Sequence, residues 1–232
     1  MGWGALASCG RSRLLLGGLM KEAVLGHSAS SGVTCGAGLG SISGGVISSY
    51  RAILVERDLW ENVRRSFAQR GTRDEEWLDR ISHNDWVEVE AFVLLLDVVA
   101  ETMGVDELRW LVRKRIVDPT GSNFYAPILR SWARSFGQSP ENMLRGVVHV
   151  WRAALRNAGR VRHELVREGE VHLLIEGPLE SAYRASPALS AELEGLAFSL
   201  LDSAQPRPMF IEVELCRERA PIALVCNFGS AG

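Results

Sequence analysis

The chain has 232 residues, a net charge of −2 and 23% charged side chains, the composition of an ordinary globular domain. There is no basic excess to suggest binding to a nucleic-acid backbone. No apolar run approaches the ~18 residues a membrane span requires. Four widely spaced cysteines, Cys9, Cys35, Cys216 and Cys226, do not make a secreted disulfide framework, so a cytoplasmic location is expected.

Residues 1 to 45 hold 12 of the 23 glycines and only four charged side chains, Arg11, Arg13, Lys21 and Glu22. "SASSGVTCGAGLGSISGG" has neither helical nor strand period and offers little to offset its ordering entropy. The segment reads as a disordered or spurious extension whose only helix-like piece runs from about Leu14 to Val24. Residues 46 to 232 are then expected to form a single α+β domain, unharmed by removal of the first 45 residues.

Helices follow in order. Leu59, Trp60, Val63 and Phe67 share one face, and Thr72 to Glu75 has capping-box spacing ahead of Trp77, Leu78 and Ile81. A long helix is predicted from about Asp85 to Met103, ending at Gly104 and burying Leu94, Leu95, Val98 and Val99. "DELRWLVRKRIVDP" is a shorter one, ended before Pro119. In "NFYAPILRSWARSFG" the stripe is Phe124, Ile128, Trp132 and Phe136, with Gly137 at the end. Ser139 caps the next helix with Pro140 in its first turn; its stripe is Leu144, Val147, Val148, Trp151 and Leu155.

The pattern then changes. Val161, His163 and Leu165 alternate, as do Val171, Leu173 and Ile175, around Glu168-Gly169-Glu170, which reads as a hairpin. Ser186 and Pro187 open a last helix, in which Gly195 implies close approach to the sheet. "PMFIEVELC" and "PIALVCNF" form a second hairpin. In the first of these strands Met209, Ile211, Val213 and Leu215 alternate with Phe210, Glu212 and Glu214, so one face should be covered and the other wetter. The expected architecture is about six helices packed on a small C-terminal antiparallel sheet of hairpin, helix, hairpin.

That order, together with "NDWVEVEAFVLLLDVVAETMG", "YAPILRSWARSFGQSPENMLRGVVHVWRAALRNAGRV", "SPALSAELEGLAFSLL" and "VELCRERAPIALVCNF", resembles the superfamily of the bacterial haem-NO-binding domains, the vinyl-reductase-associated ligand domain and the TRAPP subunits. Within it the chain looks closest to a myxobacterial paralogous family. The resemblance covers roughly residues 46 to 228. It implies a non-enzymatic sensory, signalling or scaffolding domain that binds a small molecule or a partner.

The resemblance also frames the candidate chemistry. In the haem-binding relatives a His on the helix before the first hairpin ligates iron, and His149 sits on the corresponding helix. Those relatives carry Tyr-x-Ser-x-Arg after the hairpin to clamp the propionates. Here the stretch is "YRASPALS", in which Tyr183 and Ser186 stand at a different spacing and the Arg position is not filled. On a helical wheel His149 lies about 140° from Leu144, off the apolar stripe. No cofactor is therefore expected, haem through His149 being the alternative. The vinyl-reductase-type relatives end in Cys, turn, Cys, Phe, so Cys216 and Cys226 are weak metal candidates. A tight turn near Arg219 would set Cys216 opposite Ile222 and not Cys226, giving neither a disulfide nor a paired site. No hydrolase, P-loop or Rossmann signature occurs, so no catalytic residue is assigned.

Six of the seven Trp fall between residues 60 and 151. A pocket for a small apolar ligand is expected between these helices and the sheet, lined by Trp86, Phe92, Trp132, Trp151 and Tyr183. The competing reading is a pure interaction protein, in its simplest form a homodimer, supported by apolar residues off the main stripes such as Val150.

Overall fold

A computed structural model describes residues 38–71, 73–117 and 124–229, with the backbone alone for 114–117. Strand β1 (Ser41–Ser43) leads into helices α1 (Gly44–Glu56), α2 (Trp60–Arg70) and the single turn α3 (Trp77–Arg80). Strand β2 (Trp86–Glu88) precedes α4 (Val89–Met103), α5 (Val105–Val117), α6 (Tyr125–Phe136) and α7 (Pro140–Ala154). Then come β3 (Leu155–Arg156), the hairpin β4 (Arg160–Arg167) and β5 (Glu170–Glu176), α8 (Leu179–Ala185), α9 (Pro187–Asp202), and the hairpin β6 (Phe210–Cys216) and β7 (Ile222–Gly229). The α+β class and the order helices, hairpin, helix, hairpin are as the sequence predicts.

The larger sheet is antiparallel throughout, in the order β4-β5-β7-β6. Its first hairpin has the register read from the alternation: Val161 faces Ile175, His163 faces Leu173 and Leu165 faces Val171. Gly169 turns the chain at φ +77°, where a Cβ would also strike the Phe228 carbonyl oxygen at 2.4 Å, so both backbone conformation and space demand glycine. In the second hairpin Cys216 faces Ala223, one residue beyond the expected Ile222, and Val213 faces Cys226. Residues 223 and 226 are three apart on one strand, so the two thiols lie on opposite faces of the sheet. Among the described residues neither Cys216 nor Cys226 forms a disulfide.

A second sheet, β2-β1-β3, corrects the sequence reading at the amino-terminal end. Its strands are two or three residues long, too short to show a period of two. The central strand β1 pairs Ser41 with Glu88 and with Arg156. Ile42 is buried, and the Ser43 hydroxyl accepts a hydrogen bond from Gly45 N to cap α1. The folded unit thus includes residues 38 to 45, and a boundary at residue 46 would cut inside α1. The Leu14 to Val24 piece lies outside the described residues, as do Cys9, Cys35 and Pro119.

Several helical details also shift. The long helix starts at Val89, because Trp86 to Glu88 is strand, and Leu94 is only half-buried. No side chain caps α3; the Thr72 of the expected capping box is outside the described residues. In α6 the buried residues are Tyr125 and Leu129, one position on from the expected stripe, and Phe136 is exposed. In α7 the buried set is Met143, Leu144, Gly146, Val147, Val150, Trp151 and Ala154, so Val150 faces the core rather than a partner. The caps read from sequence are present: Ser139 accepts from Asn142 N at 3.3 Å, and Ser186 from Leu189 N at 3.0 Å.

Helix α9 is the hub, buried on almost every side and packed on α4, α5, α7, α8 and the sheet. Its small residues Ala191, Gly195 and Ser199, spaced by four, let α5 come very close. A Cβ on Gly195 would meet the Arg109 carbonyl oxygen at 2.8 Å and Val112 Cβ at 3.0 Å, so the neighbour that demands glycine is α5 and not the sheet. Ser199 Oγ donates to the Arg113 carbonyl at 3.1 Å. Arg109 and Arg113 reach over to Glu194 and Asp202 at 2.9 Å each.

Two stability predictions follow from this packing. Gly195→Ala, although it raises helix propensity, should lower the urea-unfolding free energy by about 1–3 kcal/mol, because α5 must be pushed away. Equal or greater stability would mean that α5 yields freely. A chain beginning at Val46 should unfold with at least about 2 kcal/mol less free energy than one beginning at Gly38, since it loses β1, Ile42 and the Ser43 cap.

Candidate functional site

The cavity sits where α4, α6, α7, α8 and α9 meet, beside Ile42 of β1. Its α7 wall is Val147, Val150, Trp151 and Ala154; Val89 and Phe92 come from α4, and Leu179 and Tyr183 from α8. Helix α9 contributes Leu189, Glu192, Leu193 and Leu196. The α7 residues reach the cavity because they recur at three and four positions along one side of the helix. The volume is about 50 Å³. A dry cavity of about 150 Å³ holds a benzene, so this one is a third of that size.

Of the five predicted lining residues, the structure brings Phe92, Trp151 and Tyr183 together here. The Trp151 and Tyr183 rings stack at 6.3 Å and 22°, and Phe92 packs on Tyr50 at 5.9 Å. Trp86 and Trp132 lie elsewhere. Trp86 is in the small sheet under the Arg156 guanidinium, 3.6 Å from the ring centroid. Trp132 stacks on Phe136 at 4.1 Å, covers Gly146, and donates from Nε1 to the Asn142 carbonyl at 2.8 Å. An aromatic side chain at helical spacing gives no sign of which helix face it occupies, hence the error.

The polar end of the cavity escaped sequence reading. Glu192 is buried with 6% of its surface exposed, among leucines. Tyr50 donates its hydroxyl to one carboxylate oxygen, and Tyr125 donates to the other at 3.4 Å. Tyr183 is 4% exposed, and its hydroxyl makes no hydrogen bond among the described residues. Burial first, then the nearby Glu192 and Tyr125, pushes the Tyr183 phenol far above its usual range, so it stays a neutral donor. The available signal was weak: two acids, Glu192 and Glu194, stand in "SAELEGLAF", a helix otherwise written for burial, and nothing local tells which is enclosed.

These residues do not fit haem. His149 is exposed on α7, its ring 5.3 Å from Trp132, and is not part of the cavity wall. Among the described residues the wall carries no Lys, Arg or His to meet propionates. Two and four residues after Tyr183 stand Ala185 and Pro187, where the relatives' motif has Ser and Arg. Arg184 is turned to the Arg219 carbonyl at 2.6 Å, and the Ser186 hydroxyl is committed to capping α9 and to Asp97 at 2.6 Å. The cysteines fare no better as metal ligands. Burial pushes the Cys226 thiol up to about 12, away from the thiolate that binds zinc, and Cys216 is on the other sheet face. Among the described residues no group of three His, Cys, Asp or Glu could hold a metal ion.

A wider, open groove of about 770 Å³ runs past Gly38, Phe67, Arg70, Arg73, Glu88 and Glu90. Its charges are engaged within the chain: Arg70 with Glu101, Arg73 with Glu88 at 2.9 Å, and Glu90 with Leu39 N at 2.7 Å. Among the described residues no helix is long and apolar enough to cross a membrane.

No family model matches the chain, and no curated protein does. Solved structures do. The Fe(II) unliganded H-NOX protein from K. algicida aligns at TM-score 0.56 and 12% identity over 82% of this chain and 98% of that one. A single-residue mutant of that protein aligns at the same TM-score and identity, over 97% of its length. At that identity the likeness concerns the fold: the chain has the α+β architecture of the H-NOX proteins.

Proposed function

We propose that this chain is a non-enzymatic sensory or scaffolding module in which an H-NOX-like fold holds a small, largely apolar ligand instead of haem. The observation that carries the reading is the cavity itself: an apolar chamber at the hub of the fold with Glu192 and Tyr183 in its wall and, among the described residues, no cation lining it. A concave apolar site with a few polar groups suits ligand recognition, and at about 50 Å³, well below the few hundred Å³ of an ordinary ligand pocket, this one admits only a very small occupant. Catalysis has no support there, because the two phenols and one carboxylate include neither an activated nucleophile nor an accessible base. The expected location is the cytoplasm.

A second reading, an interaction subunit that self-associates, is favoured by one observation. Leu165 and Val166 of β4 and Met209 and Phe210 at β6 are each more than half exposed, and the strand register gathers them at one end of the large sheet. Sedimentation across a concentration series tests it: a strict monomer sinks this reading and leaves the first untouched.

Three measurements bear on the cavity. Protein produced with haem supplied should show no Soret band. A band abolished by His149→Ala would overturn the assignment. Tyr183→Phe should leave the unfolding free energy within about 0.5 kcal/mol or raise it, since the hydroxyl removed has no hydrogen-bond partner among the described residues. Glu192→Ala should cost about 2–4 kcal/mol, because it takes away the acceptor of two buried tyrosines and opens a void. A neutral Glu192→Ala would mean that the polar end is wet and unstructured.

A further inference from the structure

We infer that β4 is the docking edge for a second copy of this chain: two β4 strands pair antiparallel about a two-fold axis at His163, each Arg162 opposite Glu164 of the partner subunit. This rests on the self-association reading above and names its surface and register. The two four-stranded sheets then continue into one.

The large sheet ends in β4 and β6, and an edge strand leaves N–H and C=O groups open to a further strand. Among the described residues, no backbone hydrogen bond outside the ladder uses residues 160–167. The two edges are guarded differently. On β6 both Glu212 and Glu214 are exposed. Antiparallel pairing of most of β6 with itself, core face beside core face, sets one of these carboxylates opposite itself or the other, which is destabilising. Joining β4 to β6 of another copy is head-to-tail and has no two-fold closure. Strand β4 has no such guard: Leu165 and Val166 are 55% and 51% exposed toward its end.

Charge fixes the register. Val161, His163 and Leu165 lie on the core face, opposite the buried Ile175, Leu173 and Val171 of β5, so Arg162 and Glu164 share the outer face, each about half exposed. The regular pairing of β4 ends at Leu165, where the register shifts. An axis at His163 uses only that regular part. It sets Arg162 opposite Glu164 twice and gives each exposed Leu165 the cover of a Val161. Moving the axis to Arg162 or to Glu164 would set that residue opposite its own copy, like charge against like. An axis between two residues would set the core face of one subunit beside the outer face of the other. Burial first, then the nearby Arg145, holds the His163 imidazole below its ordinary range, so two neutral rings meet at the axis near neutral pH. Arg162 already touches Glu164 of its own strand at 3.3 Å and Glu176 at 2.6 Å. Exposed pairs of this kind are weak, so the charges select the register while main-chain hydrogen bonds hold the strands.

Sedimentation equilibrium of the full chain over a concentration series tests this, beside Arg162→Glu, Glu164→Arg and, on the other edge, Glu214→Arg. The unaltered chain should dimerise and go no further. Arg162→Glu and Glu164→Arg each create two like-charge pairs across the axis, so each should weaken the dimer at least about ten-fold. Mixed in equal amounts, the two variants should recover the parent affinity within about three-fold, because every pair across the axis is again of opposite sign. That recovery also shows both variants to be folded. A chain carrying both changes should dimerise as the parent does, and Glu214→Arg should stay within about two-fold of it. If the dimer ignores the β4 changes, the β4 edge falls while self-association stands. The same holds if mixing restores nothing while both variants melt as the parent does, or if the doubly changed chain stays monomeric. If Glu214→Arg breaks the dimer, or species larger than two chains accumulate, β6 takes part and the inference falls. A chain that stays monomeric up to about 1 mM sinks both the inference and the self-association reading.

Discussion

Helix α9 has almost no face left for water, and the placement of most other elements follows from that constraint. Twelve of its sixteen residues are buried, so it must be enclosed on all sides. Its small stripe admits α5 at backbone distance, its leucines receive α7 and α8, and its remaining surface meets β6 and β7. A helix written this way cannot be an amphipathic cover on a sheet; it has to be the axis. Among the described residues Glu192 is the single charged one that is buried, and it dictates where Tyr50 and Tyr125 must be. Helices α1 and α6 are therefore positioned in part by the hydrogen-bonding needs of one carboxylate.

The many Arg–carboxylate pairs on the surface do much less. Arg80 with Asp74, Arg162 with Glu176 and Arg57 with Glu107 are all substantially solvated, and such pairs contribute about 0–1 kcal/mol each. The Asp97–Ser186 hydrogen bond differs because it lies at a junction. It ties α4 to the N-cap of α9, while Ser190 Oγ donates back to the Ser186 and Tyr183 carbonyls. Tyr183 thus hangs from a backbone fastened at two points, which orders its ring even though its hydroxyl has no hydrogen-bond partner among the described residues.

How much of this could be read from the sequence depended on whether the signal was local. The first hairpin declared its register through two alternating runs and a Gly-centred turn, and Ser139 and Ser186 announced their helices because capping is chemistry within four residues. Strands β1, β2 and β3 were invisible, because two or three residues cannot display a period and their partners are dozens of positions away. The stripes of α6 and α7 were misplaced by a residue or so because each helix packs on two neighbours and buries a broad arc. Tyr125 and Val150 are the core residues lost to that rotation; Trp132 is the surface residue wrongly gained. Glu192 was passed over for the opposite reason: charged residues are read as solvated unless something shows them surrounded, and only the assembled fold does so.

The likeness to H-NOX structures and the misfit of haem come from different parts of the chain. The fold is carried by features indifferent to what fills the cavity: the caps, the Gly169 turn, the small stripe of α9 and the antiparallel register. The chemistry of the cavity is carried by a handful of wall positions, and here these are Val150, Trp151, Ala154, Tyr183 and Glu192. Ala185 and Pro187, where a propionate clamp would stand in the relatives' motif, belong to the junction that opens α9. Pro187 starts the helix there, with Ser186 as its cap. The same stretch that would have gripped a cofactor has been given over to building the helix on which the fold depends.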